Sequence, residues 1–124
     1  MLSQKAKVLQ KLGGKTMLHH LLLKAKQISS KISVVVGFDK EGVENEISKL
    51  SISAKTFMQK DQLGTADAVK TTLNQIKDND KVLVLYGDVP LIRKTTLEDL
   101  YSIQSDISIL TTILKNPTGY GRVI

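Results

Sequence analysis

The chain has 124 residues, 18 Lys and Arg against 12 Asp and Glu, a net charge of +6 and no cysteine. That length fits one domain with a real core but is short for a complete doubly wound enzyme; the missing cysteines exclude a disulfide framework and a thiolate metal site. The positive balance favours an anionic partner such as a nucleotide or sugar phosphate, whereas 2 Phe, 3 Tyr, no Trp and arginine only at Arg93 and Arg122 argue against a nucleic-acid reader.

The start carries no apolar signal core and no apolar run approaches the ~18 residues of a membrane span, so the expectation is a cytoplasmic protein without membrane or nucleic-acid partners. In chain order, Lys15 to Ile28 reads as a helix. Met17, Leu18, Leu21, Leu22, Ala25 and Ile28 recur at three-to-four spacing after the breakers Gly13 and Gly14. No strand is expected before it. Ile32 to Val36 is a β-branched strand ending at Gly37, and Asp39 is placed to cap a helix reaching about Leu50. A short strand follows near Ala54 to Met58, then an amphipathic helix from Thr65 to Ile76 with Ala68, Val69, Leu73 and Ile76 inward.

Val82 to Tyr86 has the length and apolarity of a strand covered on both faces. A helix from about Thr95 to Ile103, a strand from Ile107 to Leu114 and the start of another at Arg122 to Ile124 complete the pattern. Alternating strands and helices give one α/β domain with a mainly parallel sheet.

Three segments carry candidate chemistry. Tyr86-Gly87-Asp88-Val89-Pro90-Leu91 presents a carboxylate at the end of a strand, where open α/β sheets bind ligands. Asp88 there either holds a divalent cation with a phosphorylated substrate or merely caps a turn. Gln59 to Ala68 links a strand to a helix: Gln59 and Gln62 can each donate and accept toward a base edge, Gly64 offers bare backbone, and Thr65 can cap. An N-capped helix after a polar turn explains the same residues. Pro117-Thr118-Gly119-Tyr120-Gly121-Arg122 is a tight turn into a strand, with room for a ligand beside Gly121 or with no ligand at all. Lys7 is a phosphate contact or a solvated charge. His19 and His20 are adjacent, point apart and read as structural.

Taken in order, Lys7-Val8-Leu9, Gly14-Lys15, Gln62-Leu63-Gly64-Thr65, Tyr86 to Leu91 and Pro117 to Arg122 resemble the uridylyltransferase half of the bacterial bifunctional N-acetylglucosamine-1-phosphate uridylyltransferase/glucosamine-1-phosphate acetyltransferases. The resemblance implies a Rossmann-like, GT-A-type nucleotidyltransferase sheet flanked by helices, here incomplete, with residues 1–124 a partial domain. It implies transfer of uridylyl from UTP to N-acetylglucosamine 1-phosphate, giving UDP-N-acetylglucosamine and pyrophosphate for cell-wall and lipopolysaccharide precursors. Mg²⁺ is the implied cofactor and a homotrimer the implied full-length state. By the same resemblance Asp88 is the metal-binding carboxylate and Lys7 the phosphate-side lysine. Gln59, Gly64 and Thr65 recognise uracil, Tyr86 and Gly87 line the nucleotide, and Gly121 approaches the sugar.

Departures from that family are equally specific. Its opening strand and Leu-Ala-Ala-Gly-x-Gly-Thr-Arg-Met loop, with the catalytic Arg, would precede Met1. The second metal ligand, the sugar-binding acid and amide residues and the acetyltransferase domain are also absent. Ala6 and Thr16 stand where the family has Pro, and Ala66-Asp67 where Gly- or Ala-His is usual, so Asp67 adds negative charge beside the base loop. The expectation is a chain starting at an internal Met, with a central strand missing between Ile32–Val36 and Val82–Tyr86, poorly stable and inactive alone. Two other readings stay open: a non-catalytic fragment binding a nucleotide or partner chain, and a transferase for another base or sugar. Upstream reading frame and a substrate panel separate them.

Overall fold

The computed structural model describes residues 5–121, so the expected strand start at Arg122 to Ile124 and the expectation at Met1 lie outside the described residues. A short 3-10 turn, Lys7–Leu9, leads into a hairpin of β1 (Lys11–Leu12) and β2 (Lys15–Thr16), antiparallel with Leu12 opposite Lys15. The sequence reading missed this hairpin. Its signal was the Gly13-Gly14 pair, which takes φ 59 and 83, the left-handed values a two-residue hairpin turn requires. Thr16 closes the hairpin and also caps α1 (Met17–Ile28), its side-chain oxygen accepting from the His19 amide at 3.0 Å.

β3 (Ser33–Val36), α2 (Lys40–Ser48) and β4 (Lys55–Met58) form one strand–helix–strand unit. β3 and β4 pair in parallel, Ser33 opposite Lys55 and Val36 opposite Met58. Asp39 caps α2 as expected, in a left-handed conformation at φ 55, with Oδ1 accepting from the Gly42 amide at 3.2 Å and Oδ2 from the Ala6 amide at 3.0 Å. Leu18 and Leu22 of α1, Val36 of β3, Val43 and Ile47 of α2, Ala6 and Ile52 pack into the core. Thr16 Oγ1, bonded to Glu46 Oε1 at 2.7 Å, fastens α1 to α2 at its edge.

Three expectations are corrected beyond this unit. The helix read as Thr65 to Ile76 is α3 (Thr65–Lys70) followed by a separate 3-10 turn, Leu73–Gln75. The side-chain hydroxyls of Thr71 and Thr72 bond back to the carbonyls of Ala68 and Val69, a local competition that disfavours a continuous helix. Leu73, expected inward, is exposed. Val82 to Tyr86 and Ile107 to Leu114 run without ladder partners among the described residues, with Val82, Val84, Tyr86, Ile107, Ile109 and Ile113 exposed. An apolar run specifies what a strand would bury, and a ladder forms only where a neighbouring strand offers its own amides and carbonyls.

α4 (Lys94–Ser102) matches its expected position and buries Leu97 completely. Lys81 reaches its C-terminal end, donating to the carbonyls of Tyr101 at 2.6 Å and Ile103 at 3.0 Å. The result is an α/β fold whose described sheets are the β1–β2 hairpin and the parallel β3–β4 pair. Total accessible surface is 9731 Å², against about 6,600 Å² for a compact monomer of this mass by the usual scaling.

Candidate nucleotide-binding site

The candidate residues gather at the ends of β3 and β4 and in the segment after Val82–Leu85. One group surrounds the Lys7–Asp88 ion pair. Lys7 Nζ lies 3.2 Å from Asp88 Oδ2, both partly exposed. Gly87 sits directly against the Lys7 neighbour Val8: a Cβ at Gly87 would fall 2.6 Å from Val8 Cγ1. Only glycine permits this approach. Lys24 of α1 donates to the Pro90 carbonyl at 2.6 Å, and Pro90 is buried, so the loop carrying Asp88 is anchored on its far side.

The second group forms the loop after β4. Gly64 takes φ 105, a value side chains disfavour, and turns the chain into α3. Gln59 Nε2 donates to the Gly64 carbonyl at 3.0 Å and to Asp67 Oδ2 at 2.8 Å. Thr65, expected to cap the helix, is its first residue, and its Oγ1 meets the Tyr86 hydroxyl at 3.3 Å. Gln62 folds back to donate to the Gly37 carbonyl at 3.4 Å, at the end of β3. The Thr65–Tyr86 contact ties the two groups together, because Tyr86, Gly87 and Asp88 are consecutive.

Seven of the eight sequence-named site residues are therefore joined by direct contact or by the chain: Lys7, Gln59, Gly64, Thr65, Tyr86, Gly87 and Asp88. Gly121 is not. Its turn is closed by the Tyr120 amide on the Pro117 carbonyl at 3.0 Å, and a Cβ at Gly121 would meet nothing within 4 Å. The sequence reading missed what Asp67 does. Its charge does not face the loop unmet but receives the Gln59 amide, which an acid eight residues beyond Gln59 could have signalled. It also missed Gln62 over Gly37 and Lys24 on Pro90. His19 and His20 meet edge to face with ring centres 6.2 Å apart, and His20 Nε2 lies 2.8 Å from the Leu12 carbonyl oxygen, as befits structural residues.

No three His, Cys, Asp or Glu side chains among the described residues cluster to cage a metal ion. Mg²⁺, however, is commonly held by one or two carboxylates with substrate phosphates supplying further oxygens. The exposed carboxylate of Asp88 suits that mode, and no preformed cage is needed. Among the described residues no helix is long and apolar enough to cross a membrane.

Comparison with known proteins identifies the family. Residues 2–117 match the family model described as a MobA-like NTP transferase domain. The chain is 47% identical over 124 residues to the bifunctional protein GlmU of Ruthia magnifica subsp. Calyptogena magnifica, covering 98% of this chain and 27% of that protein. It is 46% identical to the bifunctional protein GlmU of Blochmanniella pennsylvanica, covering 100% of this chain and 28% of that protein. It is 40% identical to the bifunctional protein GlmU of Thermotoga petrophila, with the same coverage of 100% and 28%. The chain thus spans little more than a quarter of the length of the curated relatives it matches. Matched over residues 2–117, the chain belongs to the MobA-like NTP transferase domain family of nucleotidyltransferases.

Proposed function

We propose that this chain is the nucleotide-holding part of a uridylyltransferase, acting in the cytoplasm on UTP and N-acetylglucosamine 1-phosphate. A phosphate oxygen of the sugar phosphate bonds to the α-phosphorus of UTP. The bond from that phosphorus to the bridging oxygen breaks, and pyrophosphate leaves with its electron pair. The products are UDP-N-acetylglucosamine and pyrophosphate. The observation that carries this reading is the Thr65–Tyr86 contact, which sets the base-side loop beside Gly87 and Asp88.

In this reading Gln59 contacts the uracil edge, and Gly64 and Thr65 keep backbone and hydroxyl close to the nucleoside. Lys7 places positive charge beside the phosphates, an electrostatic role that grows as charge develops in transfer. Asp88 would hold Mg²⁺, which when bound offsets phosphate charge. Gly87 keeps the wall thin enough for close approach. Residues 1–124 form a partial nucleotidyltransferase domain in this reading, and Gly121 contributes toward the sugar only once its turn is brought to the site. The Val82–Tyr86 segment, without ladder partners among the described residues, supports binding without ordinary turnover in the isolated chain.

The test is equilibrium binding of UTP, ATP and GTP to the 124-residue chain with Mg²⁺ present, alongside a pyrophosphate-release assay with N-acetylglucosamine 1-phosphate. UTP should bind in preference to the purine nucleotides, and Gln59→Leu should erase that preference. Equal binding of all three would refute the base-side assignment. Turnover at ordinary enzyme rates would refute the view that this chain binds without catalysing.

A further inference from the structure

We propose that Asp67 is a positioning residue that selects the base by fixing which end of the Gln59 amide faces the ligand. The inference rests on Gln59 being the base-contacting residue proposed above. Gln59 carries one acceptor oxygen and one NH₂ donor on the same carbon, so its preference for a base depends on which way the amide is turned. Two neighbours meet one end of that amide, the Gly64 carbonyl at 3.0 Å and Asp67 Oδ2 at 2.8 Å. A backbone carbonyl and a carboxylate are both acceptors. The end they meet must be the NH₂, because the opposite orientation would set oxygen against two oxygens.

The consequence is a defined polarity. Gln59 Oε1 takes no hydrogen bond from the described residues and remains the group available to a ligand. An acceptor at that place suits a base whose ring nitrogen carries a hydrogen, as N3–H of uracil does. It opposes cytosine, whose N3 presents a lone pair. The two pyrimidines have nearly the same shape, so the orientation of one amide, held by Asp67 together with the Gly64 carbonyl, separates them. Asp67 touches the selecting residue and need not touch the nucleotide.

The experiment measures UTP and CTP affinities on the 124-residue chain, wild type, Asp67→Ala and Asp67→Lys, and adds 3-methyluridine 5′-triphosphate for the wild type. The UTP-to-CTP ratio is read because a change in overall charge or folded fraction cancels from it. Wild type should favour UTP by about tenfold, the effect of trading one hydrogen bond for an opposed pair of acceptors. It should bind the 3-methyl nucleotide about as weakly as CTP. In Asp67→Ala, where only the Gly64 carbonyl still holds the amide, the ratio should fall. In Asp67→Lys, where a donor replaces the acceptor and draws Oε1 toward itself, it should pass in favour of CTP. An unchanged ratio in both variants would overturn the role of Asp67 while leaving the uracil site standing. Equal wild-type affinity for UTP and CTP would overturn the acceptor readout. Absence of any nucleotide binding by the wild type would overturn the site itself, and the proposal with it.

Discussion

Lys7 Nζ stands 3.2 Å from Asp88 Oδ2, a contact between residues 81 apart in the chain. Both groups are substantially exposed, so the pair itself stabilises the fold little, within the ~1 kcal/mol typical of surface pairs. In the proposed function each charge has its own use, Lys7 toward phosphate and Asp88 toward Mg²⁺, and that prediction is what a variant tests. Asp88→Asn should therefore leave the melting temperature nearly unchanged while removing the dependence of UTP affinity on Mg²⁺. Titrations with and without the cation check this, and a variant still strengthened by Mg²⁺ would show that the ion is held elsewhere.

Gly87→Ala tests the packing behind that pair. The added methyl would sit 2.6 Å from Val8 Cγ1, and a β-branched side chain has few rotamers with which to retreat. The expected cost is about 1–3 kcal/mol, the range for overpacking. Urea unfolding of Gly87→Ala and of the double variant with Val8→Ala checks it. The double variant should recover most of the loss, and failure to recover would place the cause in the backbone.

Leu97→Ala should destabilise the chain by about 2–5 kcal/mol, the range for emptying a core leucine site. Leu97 is fully buried although it lies outside the core cluster of α1, β3 and α2. Far-UV circular dichroism on heating reads the result. A change below about 1 kcal/mol would mean that α4 contributes little to the cooperative unit.

Acid should weaken the fold through two surface carboxylates. The Thr56 hydroxyl, and then Lys40, hold Glu44 below its ordinary range. The Lys77 backbone N–H, and then Lys31, do the same for Asp80. A depressed carboxyl contributes stability fully above its unfolded pKa and loses it as pH falls through the folded value. The window therefore opens at the ordinary carboxylate range, about pH 4, and extends below it. Urea midpoints should fall through that window less steeply in the Glu44→Gln, Asp80→Asn double variant than in wild type.

Much of the fold was legible because its signals are local. The three-to-four spacing of Leu18, Leu21 and Leu22, the β-branched run at Val34 to Val36 and the cap at Asp39 each fix an element from a few neighbouring residues. Val82 to Leu85 is the instructive failure. Its composition is that of a buried strand, yet burial and pairing depend on what lies beside it, and no run of residues encodes its neighbour. At the site the residue types were legible and their partners were not. Gln59 could be named from its chemistry, whereas the turn at Gly64 that lets Asp67 reach it is a property of the folded loop. Gly121 was named from its turn and by resemblance, and a Cβ there would meet nothing within 4 Å that could have placed it at the site.

Gln62 lying over Gly37 has a consequence for how mutations at this site would be scored. A methyl group at position 37 would press on the amide end of Gln62 at 2.8 Å, and that flexible end can swing away without disturbing β3. Such a change would pass a screen for folding yet loosen the loop that joins Gln59 to Asp67 of α3. Position 37 would then behave in a library selected for nucleotide retention as though it touched the ligand, and in one selected for expression as though any small residue would do.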